Sequence, residues 1–401
     1  MASYTKIKAN NKQGYKWICT LEGPPDPVTG KRKQIPRRGD TQKEALARAQ
    51  KALDELNKYG IDLRSIKKLL FEDVSNEWLK SYSKTKVKAR TIRTRIQEIK
   101  ICLRYYGKLP INQITFKFHQ DMLNDLDDQG YSVSTIKGVN VTANMIMKYA
   151  VKNKWRMDNP FSGAIIPAKL LTVEEIENDP IKEKILEKDE LAEFLVAVKE
   201  HGDFMDNEIF HLLAFSGMRS GELCSLKDSD LFFETNEIRI TKTIDFPTNN
   251  IRKYLITPPK TKGSIRRVGL LQEVMEPLRT HINLMKTLRK NNNKLYSDDY
   301  HNEAFVFSHP NGYPLSPRNV LKRMRKILKK TTITKHATPH IFRHTHVSML
   351  AEAEVDLKTI MERVGHDDAK TTLKIYTHVT NKMKRNANDK IRLHFSSIIQ
   401  L

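Results

Sequence analysis

Apolar residues recur along this chain with two different periods. Between Tyr15 and Leu21 the odd positions, Tyr15, Trp17, Cys19 and Leu21, are apolar. A period of two predicts a half-buried strand. GPPDPVTGK at 23–31 reads as a turn. Thr41 and Glu44 have the spacing of a capping box, and Leu46, Ala49, Ala52, Leu53 and Leu56 follow with helical spacing. The first 60 residues thus accommodate three short strands and one helix.

Residues 57–69 read as a linker, after which the helical period takes over. Ile92, Ile96, Ile99, Leu103 and Tyr106 form one stripe. Ile136, Val139, Ala143, Ile146 and Ala150 form another, with Ser134 in position to cap it. Asn159-Pro160 closes this all-α unit. An acidic, Pro-containing connector spans 166–187. Leu191, Phe194, Leu195 and Val198 begin a third unit, and a second helix, 207–215, runs into Ser216-Gly-Met-Arg219. Strand-like segments follow at 237–243, 252–257 and 265–270, and helices resume after Phe305-Val-Phe307. The expected domains are 1–60 (three strands and a helix), 67–165 (all-α) and 180–401 (α+β, mostly helical).

Charge changes the picture more than composition does. The 401 residues carry 70 Lys and Arg against 47 Asp and Glu, a net charge of +23. Residues 1–66 hold +7, residues 67–170 hold +10 and residues 171–401 hold +6. A globular chain this basic is expected to neutralise an anion, with nucleic acid as the first candidate and an anionic membrane surface as the second. Three scattered cysteines, Cys19, Cys102 and Cys224, argue against a disulfide framework and fit a reduced cytoplasm. No apolar run approaches the ~20 residues of a membrane span, and the N-terminus has no apolar core of a signal peptide.

Three stretches could carry chemistry. In Ser216-Gly-Met-Arg219-Ser-Gly-Glu222, Arg219 and Glu222 stand three apart where an apolar helix ends. Alone they read as a helix-terminal ion pair worth a few tenths of a kcal/mol, about 0.2–0.5. In Thr338-Pro339-His340-Ile-Phe-Arg343-His344, Thr338 suits an N-cap and Pro339 the first helical position. His340 and His344 have the i, i+4 spacing of zinc ligands, but the HExxH pattern is absent. Cations at a helix N-terminus oppose its dipole unless an anion docks there. In the third stretch Val364-Gly365 reads as a helix ending in a C′ glycine, followed by His366 and, ten residues on, Tyr376. Alone, His366 reads as a surface histidine and Tyr376 as a packing residue.

Taken together, R-x-x-E, then H-x-x-R-H, then G-H, then Tyr resembles the signature of the tyrosine site-specific recombinases, the phage-integrase family. The resemblance spans the chain. Residues 1–60 look like an arm-type-site DNA-binding domain, 67–165 like the helical, SAM-like core-binding domain, and 180–401 like the catalytic domain. It implies a DNA strand transferase that integrates, and also excises, a phage or mobile element. Tyr376 would attack a DNA phosphodiester to give a 3′-phosphotyrosyl link and a free 5′-hydroxyl, and strand exchange would pass through a Holliday junction. Arg219 and Arg343 would stabilise the charged transition state, and His340 and His366 would bind the phosphate or manage the nucleophile's proton. Glu222 and His344 would support them. Lys260 would protonate the leaving oxygen, with Lys262 open as the alternative because sequence does not fix hairpin register. No metal and no other cofactor is implied.

The implied partners are double-stranded DNA at core-type and arm-type attachment sites and further copies of the chain in a tetramer. A host bending protein and an excision factor are also implied, and no membrane. Lys84, Lys86, Lys88, Arg90, Arg93 and Arg95, a run without acidic residues, are candidates for phosphate contacts, as are Lys16, Lys31, Arg32, Lys33, Arg37 and Arg38. A solvated basic face is the bland alternative. The tail after Tyr376, through Phe395 and Ile398-Ile399 to Leu401, is expected to dock on a neighbouring protomer or on its own domain. Competing readings are a Xer-like resolving recombinase, a catalytically inactive DNA-binding regulator of the same fold, and, more distantly, a zinc hydrolase.

Overall fold

A computed structural model describes residues 2–11, 13–25, 32–59, 69–168, 182–248, 250–259, 262–296, 299–366, 369–370, 372–379 and 395. The chain divides into two compact units, residues 1–170 and 171–401. The first unit contains separate hydrophobic clusters, in a sheet–helix element and in a helical bundle.

In the sheet–helix element, β1 (Ser3–Lys8), β2 (Tyr15–Pro25) and β3 (Arg32–Gly39) form an antiparallel sheet in chain order. One face, with Cys19, Leu21 and Ile35, packs on Ala45, Ala49, Ala52 and Leu56 of α1 (Gln42–Tyr59). The capping box is offset by one residue. Thr41 Oγ1 accepts from the Glu44 amide at 3.1 Å, but the Glu44 carboxylate accepts from the Asp40 amide at 2.7 Å.

The helical bundle comprises α2 (Phe71–Ser83), α3 (Ala89–Tyr106), α4 (Phe116–Asp128) and α5 (Val133–Lys152). The stripe from Ile136 faces its core throughout; of the other, Ile99, Leu103 and Tyr106 face it, while Ile92 and Ile96 are half-buried outside the core cluster. The cap of α5 is Ser132, not Ser134: its hydroxyl accepts from the Thr135 amide at 3.2 Å, because the helix starts two residues earlier than a cap at Ser134 would allow. Between α3 and α5 lies a buried polar contact. Glu98 accepts from Arg95 Nη1 at 2.7 Å and from the Thr142 hydroxyl at 2.5 Å, and Arg95 also donates to Thr142 at 2.8 Å.

In the second unit Ile185 and Leu186 are the first buried residues described, and the Leu186 amide donates to Thr345 Oγ1 at 2.8 Å. Its aromatic centre is Phe194 of α6 (Lys188–His201), Phe210 of α7 (Asp206–Ser216) and Phe342 of α11 (His340–Glu352). Phe194 lies 5.2 Å from each of the other two rings. A short helix, α8 (Ser220–Leu223), follows α7. The expected strand at 237–243 divides between two sheets. Glu237–Ile240 (β5) sits between β4 (Leu231–Phe232) and β8 (Arg266–Gly269), while Thr243–Asp245 (β6) pairs with Leu255–Thr257 (β7).

Helices do not first resume after Phe307. The 25-residue helix α9 (Gln272–Tyr296) precedes it. Its internal Pro277 and its polar second half, with no buried residue after Met285, obscure the period. Helices α10 (Pro317–Leu328) and α12 (Leu357–Val364) complete the named elements, and residues 372–379 are helical. Among the described residues, no helix is long and apolar enough to cross a membrane.

The Glu98 contact yields a stability prediction. Arg95→Met leaves a carboxylate buried without its cation. It should destabilise the bundle by about 2–4 kcal/mol, whereas Lys86→Met, at an exposed position, should change stability by less than about 0.5 kcal/mol. Urea unfolding followed by Trp78 and Trp155 fluorescence measures both, and equal effects would contradict the buried contact.

Candidate active site

Four backbone features bring the candidate side chains together. Helix α7 ends at Gly217, whose φ of +63° is left-handed. A Cβ there would also lie 2.7 Å from His346 Cδ2, so glycine is required twice over. The chain then reverses into α8 with Arg219 at its cap position. Helix α11 carries His340, Arg343 and His344 in its first two turns. It begins at His340 and not at Pro339: Pro339 takes the cap position, and the Thr338 carbonyl, not its hydroxyl, accepts from the Ile341 amide at 2.8 Å. Helix α12 ends at Gly365 with φ +69°, the expected glycine terminus, which delivers His366.

Arg343 is completely buried. Its Nη1 donates to the Gly217 carbonyl at 2.8 Å and its Nε to His366 Nε2 at 3.2 Å. Its Nη2 is buried and has no hydrogen-bond partner among the described residues. Burial and the nearby Arg219 push the Arg343 pKa down to about 9, so the guanidinium stays charged at neutral pH. Since His366 Nε2 accepts from Arg343, its proton is on Nδ1, which donates to Thr372 Oγ1 at 2.5 Å. Thr372 and Tyr376 are one helical turn apart in the helical segment 372–379. Tyr376 is half-buried against a cluster of Val347, Ala351, Ile360 and Val364.

Glu222 is buried between two arginines. It accepts from Arg219 Nη1 at 2.9 Å, from the Arg219 amide at 2.9 Å and from Arg266 Nη2 at 3.1 Å. Burial works to raise its pKa, but Arg266 first and then Arg219 hold it below the usual carboxylate range. Arg219 keeps 38% of its side chain exposed, and its Nη2 lies 3.5 Å from the Gly365 carbonyl.

The histidines of the site are neutral at pH 7. Packing around the ring, then the charges of His344, Arg343 and Arg219, push His340 down to about 4. Burial, then Arg343 and Arg219, push His366 down to about 3. His340 and His344 meet edge-to-face with centroids 4.6 Å apart. His344 is lowered by burial and Arg343, and its Nδ1 is buried without a partner among the described residues.

The structure therefore brings Arg219, Glu222, His340, Arg343, His344 and His366 together, with the Tyr376 helix tethered through Thr372. Lys260 lies outside the described residues, and Lys262 opens the 3₁₀ turn Lys262–Ser264 of the same hairpin. Among the described residues there is no group of three or more His, Cys, Asp and Glu arranged for a metal ion.

Sequence reading missed Arg266, Thr372, and the pair His346 and Arg363. The signal for Arg266 is parity, since in β8 it shares the inward face with Val268. His346 Nδ1 donates to the Ala214 carbonyl at 3.0 Å and Nε2 accepts from Arg363 Nε at 3.0 Å, bracing α7 against α12.

The basic candidates elsewhere divide. Lys84, Lys86 and Arg90 are exposed, Lys88 and Arg93 half-buried. Arg95 is not available for phosphate, because Glu98 and Thr142 draw it inward. Arg37 is likewise buried, on the α1 side of the sheet opposite Cys19. Lys33 and Arg38 are exposed, Lys16 pairs with Asp40 at 3.4 Å and Arg32 with Glu22 at 3.3 Å. Lys31 lies outside the described residues, as does the tail beyond residue 379 apart from the exposed Phe395.

An anion site built from buried arginines, neutral histidines and a tyrosine helix defines a DNA strand transferase of the tyrosine recombinase class. Residues 184–383 match the phage integrase family, and residues 70–126 match the phage integrase N-terminal SAM-like domain. The chain is 30% identical to the integrase of Staphylococcus phage L54a over 340 residues, 81% of this chain and 93% of that protein. It is 32% identical to the prophage ps2 probable integrase of Lactococcus lactis over 374 residues, 91% and 94% of the two chains. The chain belongs to the phage integrase family and is a site-specific recombinase. In fold it is similar to the Tn1549 transposon integrase solved with a circular intermediate DNA (TM-score 0.62, 21% identity, 80% of this chain and 99% of that one). A second likeness is to lambda integrase, solved as a tetramer on a Holliday junction (TM-score 0.56, 16% identity, 89% and 92%).

The histidine shifts give a pH prediction. Burial and Arg363 push His346 from its ordinary 6.5 down to about 3. A folded pKa below the unfolded one means that the unfolded chain takes up the proton first, so this stability is present above pH 6.5 and is lost as pH falls. His346 alone should cost about 2 kcal/mol between pH 7 and pH 5. Urea unfolding at the two pH values should show His346→Gln with a loss smaller by that amount. An unchanged pH dependence would contradict a neutral buried His346.

Proposed function

We propose that this chain cuts and rejoins duplex DNA at attachment sites through a covalent bond from Tyr376 to a 3′-phosphate. The buried Arg343, with Nη2 lacking an acceptor, carries this reading. A buried donor of full charge calls for an anion, and the tethered Tyr376 helix supplies a nucleophile beside it. Arg343 and Arg219 contact the non-bridging oxygens and stabilise the extra charge of the pentacoordinate transition state.

His340 takes the tyrosine proton. It is neutral before DNA binds, and the phosphate charge offsets the cations that weaken it as a base. His366 keeps Arg343 Nε aimed. The tyrosine oxygen bonds to phosphorus, the bond to the 5′-oxygen breaks, and a hairpin lysine, Lys260 or Lys262, protonates that oxygen. The phosphotyrosyl bond conserves the energy of the phosphodiester, so rejoining needs no ATP.

The proposed division of the chain follows: 1–60 grips arm-type sites, 67–165 grips core-type sites through Lys84, Lys86 and Arg90, and 180–401 performs the chemistry. The exposed sheet-face Arg38 and the concentration of net charge before residue 170 support it. Four copies act on a Holliday junction, a reading supported by lambda integrase having been solved as a tetramer bound to one, with a host bending protein and an excision factor as further partners. The setting is the cytoplasm of a bacterium carrying a phage or mobile element.

A nicked attachment-site duplex that loses its short fragment on cleavage traps the intermediate. With EDTA present, the wild type should give a covalent adduct on a denaturing gel and Tyr376→Phe should give none. An adduct with Tyr376→Phe would refute the nucleophile. On a 5′-phosphorothiolate substrate, whose leaving group needs no proton, either Lys260→Ala or Lys262→Ala should recover about 10²-fold of lost rate. The variant that recovers marks the general acid, and recovery by neither would exclude the hairpin.

A further inference from the structure

Arg266 stands where three parts of the site meet. Its Nη2 and Nη1 face Glu222 Oε2 at 3.1 Å and Oε1 at 3.5 Å. Nη1 also donates to the Ser264 carbonyl at 3.0 Å, and Nε donates to the Arg363 carbonyl at 2.7 Å. These partners belong to the lysine hairpin, to the carboxylate that orients Arg219, and to the last turn before His366. The Ser264 hydroxyl lies 3.4 Å from the Gly365 carbonyl, the same oxygen that faces Arg219.

The charges are unequal in number. One carboxylate, Glu222, meets two guanidiniums. Arg266 presents both terminal nitrogens to both oxygens and is 5% exposed, whereas Arg219 presents one side-chain nitrogen and is 38% exposed. A carboxylate engaged in a fork by one arginine is a weaker counter-ion for the other. Without Arg266, Glu222 would close as a full fork on Arg219 and neutralise it.

We propose that Arg266 is a positioning residue for strand transfer: it occupies Glu222 so that the charge of Arg219 remains directed at the DNA phosphate. This rests on the recombinase reading above and adds to it a residue that touches no substrate. The sign is specific. Removing Arg266 should harm catalysis through the carboxylate it leaves behind, so removing that carboxylate's charge as well should restore part of the rate. An arginine that only braces the hairpin would show no such restoration.

The test uses the full chain and the nicked substrate, measuring single-turnover adduct formation, DNA affinity by gel shift and thermal unfolding. Arg266→Gln should slow cleavage about 100-fold while changing DNA affinity less than about threefold. Arg266→Gln combined with Glu222→Gln should cleave at least about tenfold faster than Arg266→Gln alone. If Arg266→Gln does not fold, the same comparison is made with Arg266→Lys, with and without Glu222→Gln. A double variant no faster than its parent, or a single variant with near wild-type cleavage, overturns the proposal. Wild type that forms no adduct overturns the recombinase reading instead, which keeps the two failures distinct.

Discussion

A guanidinium without solvent and without a carboxylate of its own is the constraint on which the catalytic unit depends. Arg343 is fully buried, and its direct hydrogen-bond partners are neutral, a carbonyl and an imidazole. Desolvating a charge in this way is costly unless polar groups surround it. The surrounding structure is what makes it tolerable. Helix α7 must end at a left-handed Gly217 to offer its carbonyl, α12 must end at a left-handed Gly365 to offer His366, and the histidines must stay uncharged.

That positive field also explains why histidine, and not lysine, surrounds the arginines. His340, His366 and His346 are each pushed below their ordinary range by burial first and by neighbouring cations second. A group able to shed its proton adds hydrogen-bonding capacity without further repulsion. Glu222 supplies the negative charge, and its place between Arg219 and Arg266 spreads that charge over two sites.

The sequence made the architecture legible wherever a single face is apolar. The strand around Trp17, the stripe led by Ile136, the later half of the stripe from Ile99 to Tyr106, and the glycine stop at Gly365 all follow from period and turn chemistry. The spacing of a family signature singled out Arg219, His340, Arg343 and His366, which the structure brings together, and Tyr376, whose helical segment is tied to His366 through Thr372. What escaped has physical reasons. Helix α9 carries an internal proline and a polar half. The split between Ile240 and Thr243 depends on which partner strand is available. The inward turn of Arg95 depends on Glu98 from its own helix and Thr142 from another. Arg266 and Thr372 act through contacts 44 and 6 residues distant in the chain, which no local pattern encodes.

The hydrogen bond from His366 to Thr372 joins the helical segment that carries Tyr376 to the imidazole that holds Arg343. When that helix is seated, the imidazole has one tautomer and Arg343 one aim. If the helix departs, the Nδ1 proton loses its acceptor and the ring is free to turn, which loosens the arginine at the same moment that the tyrosine leaves. On the proposed reading, the aim of Arg343 is thereby coupled to the seating of Tyr376, so the phosphate is activated only with its nucleophile in place.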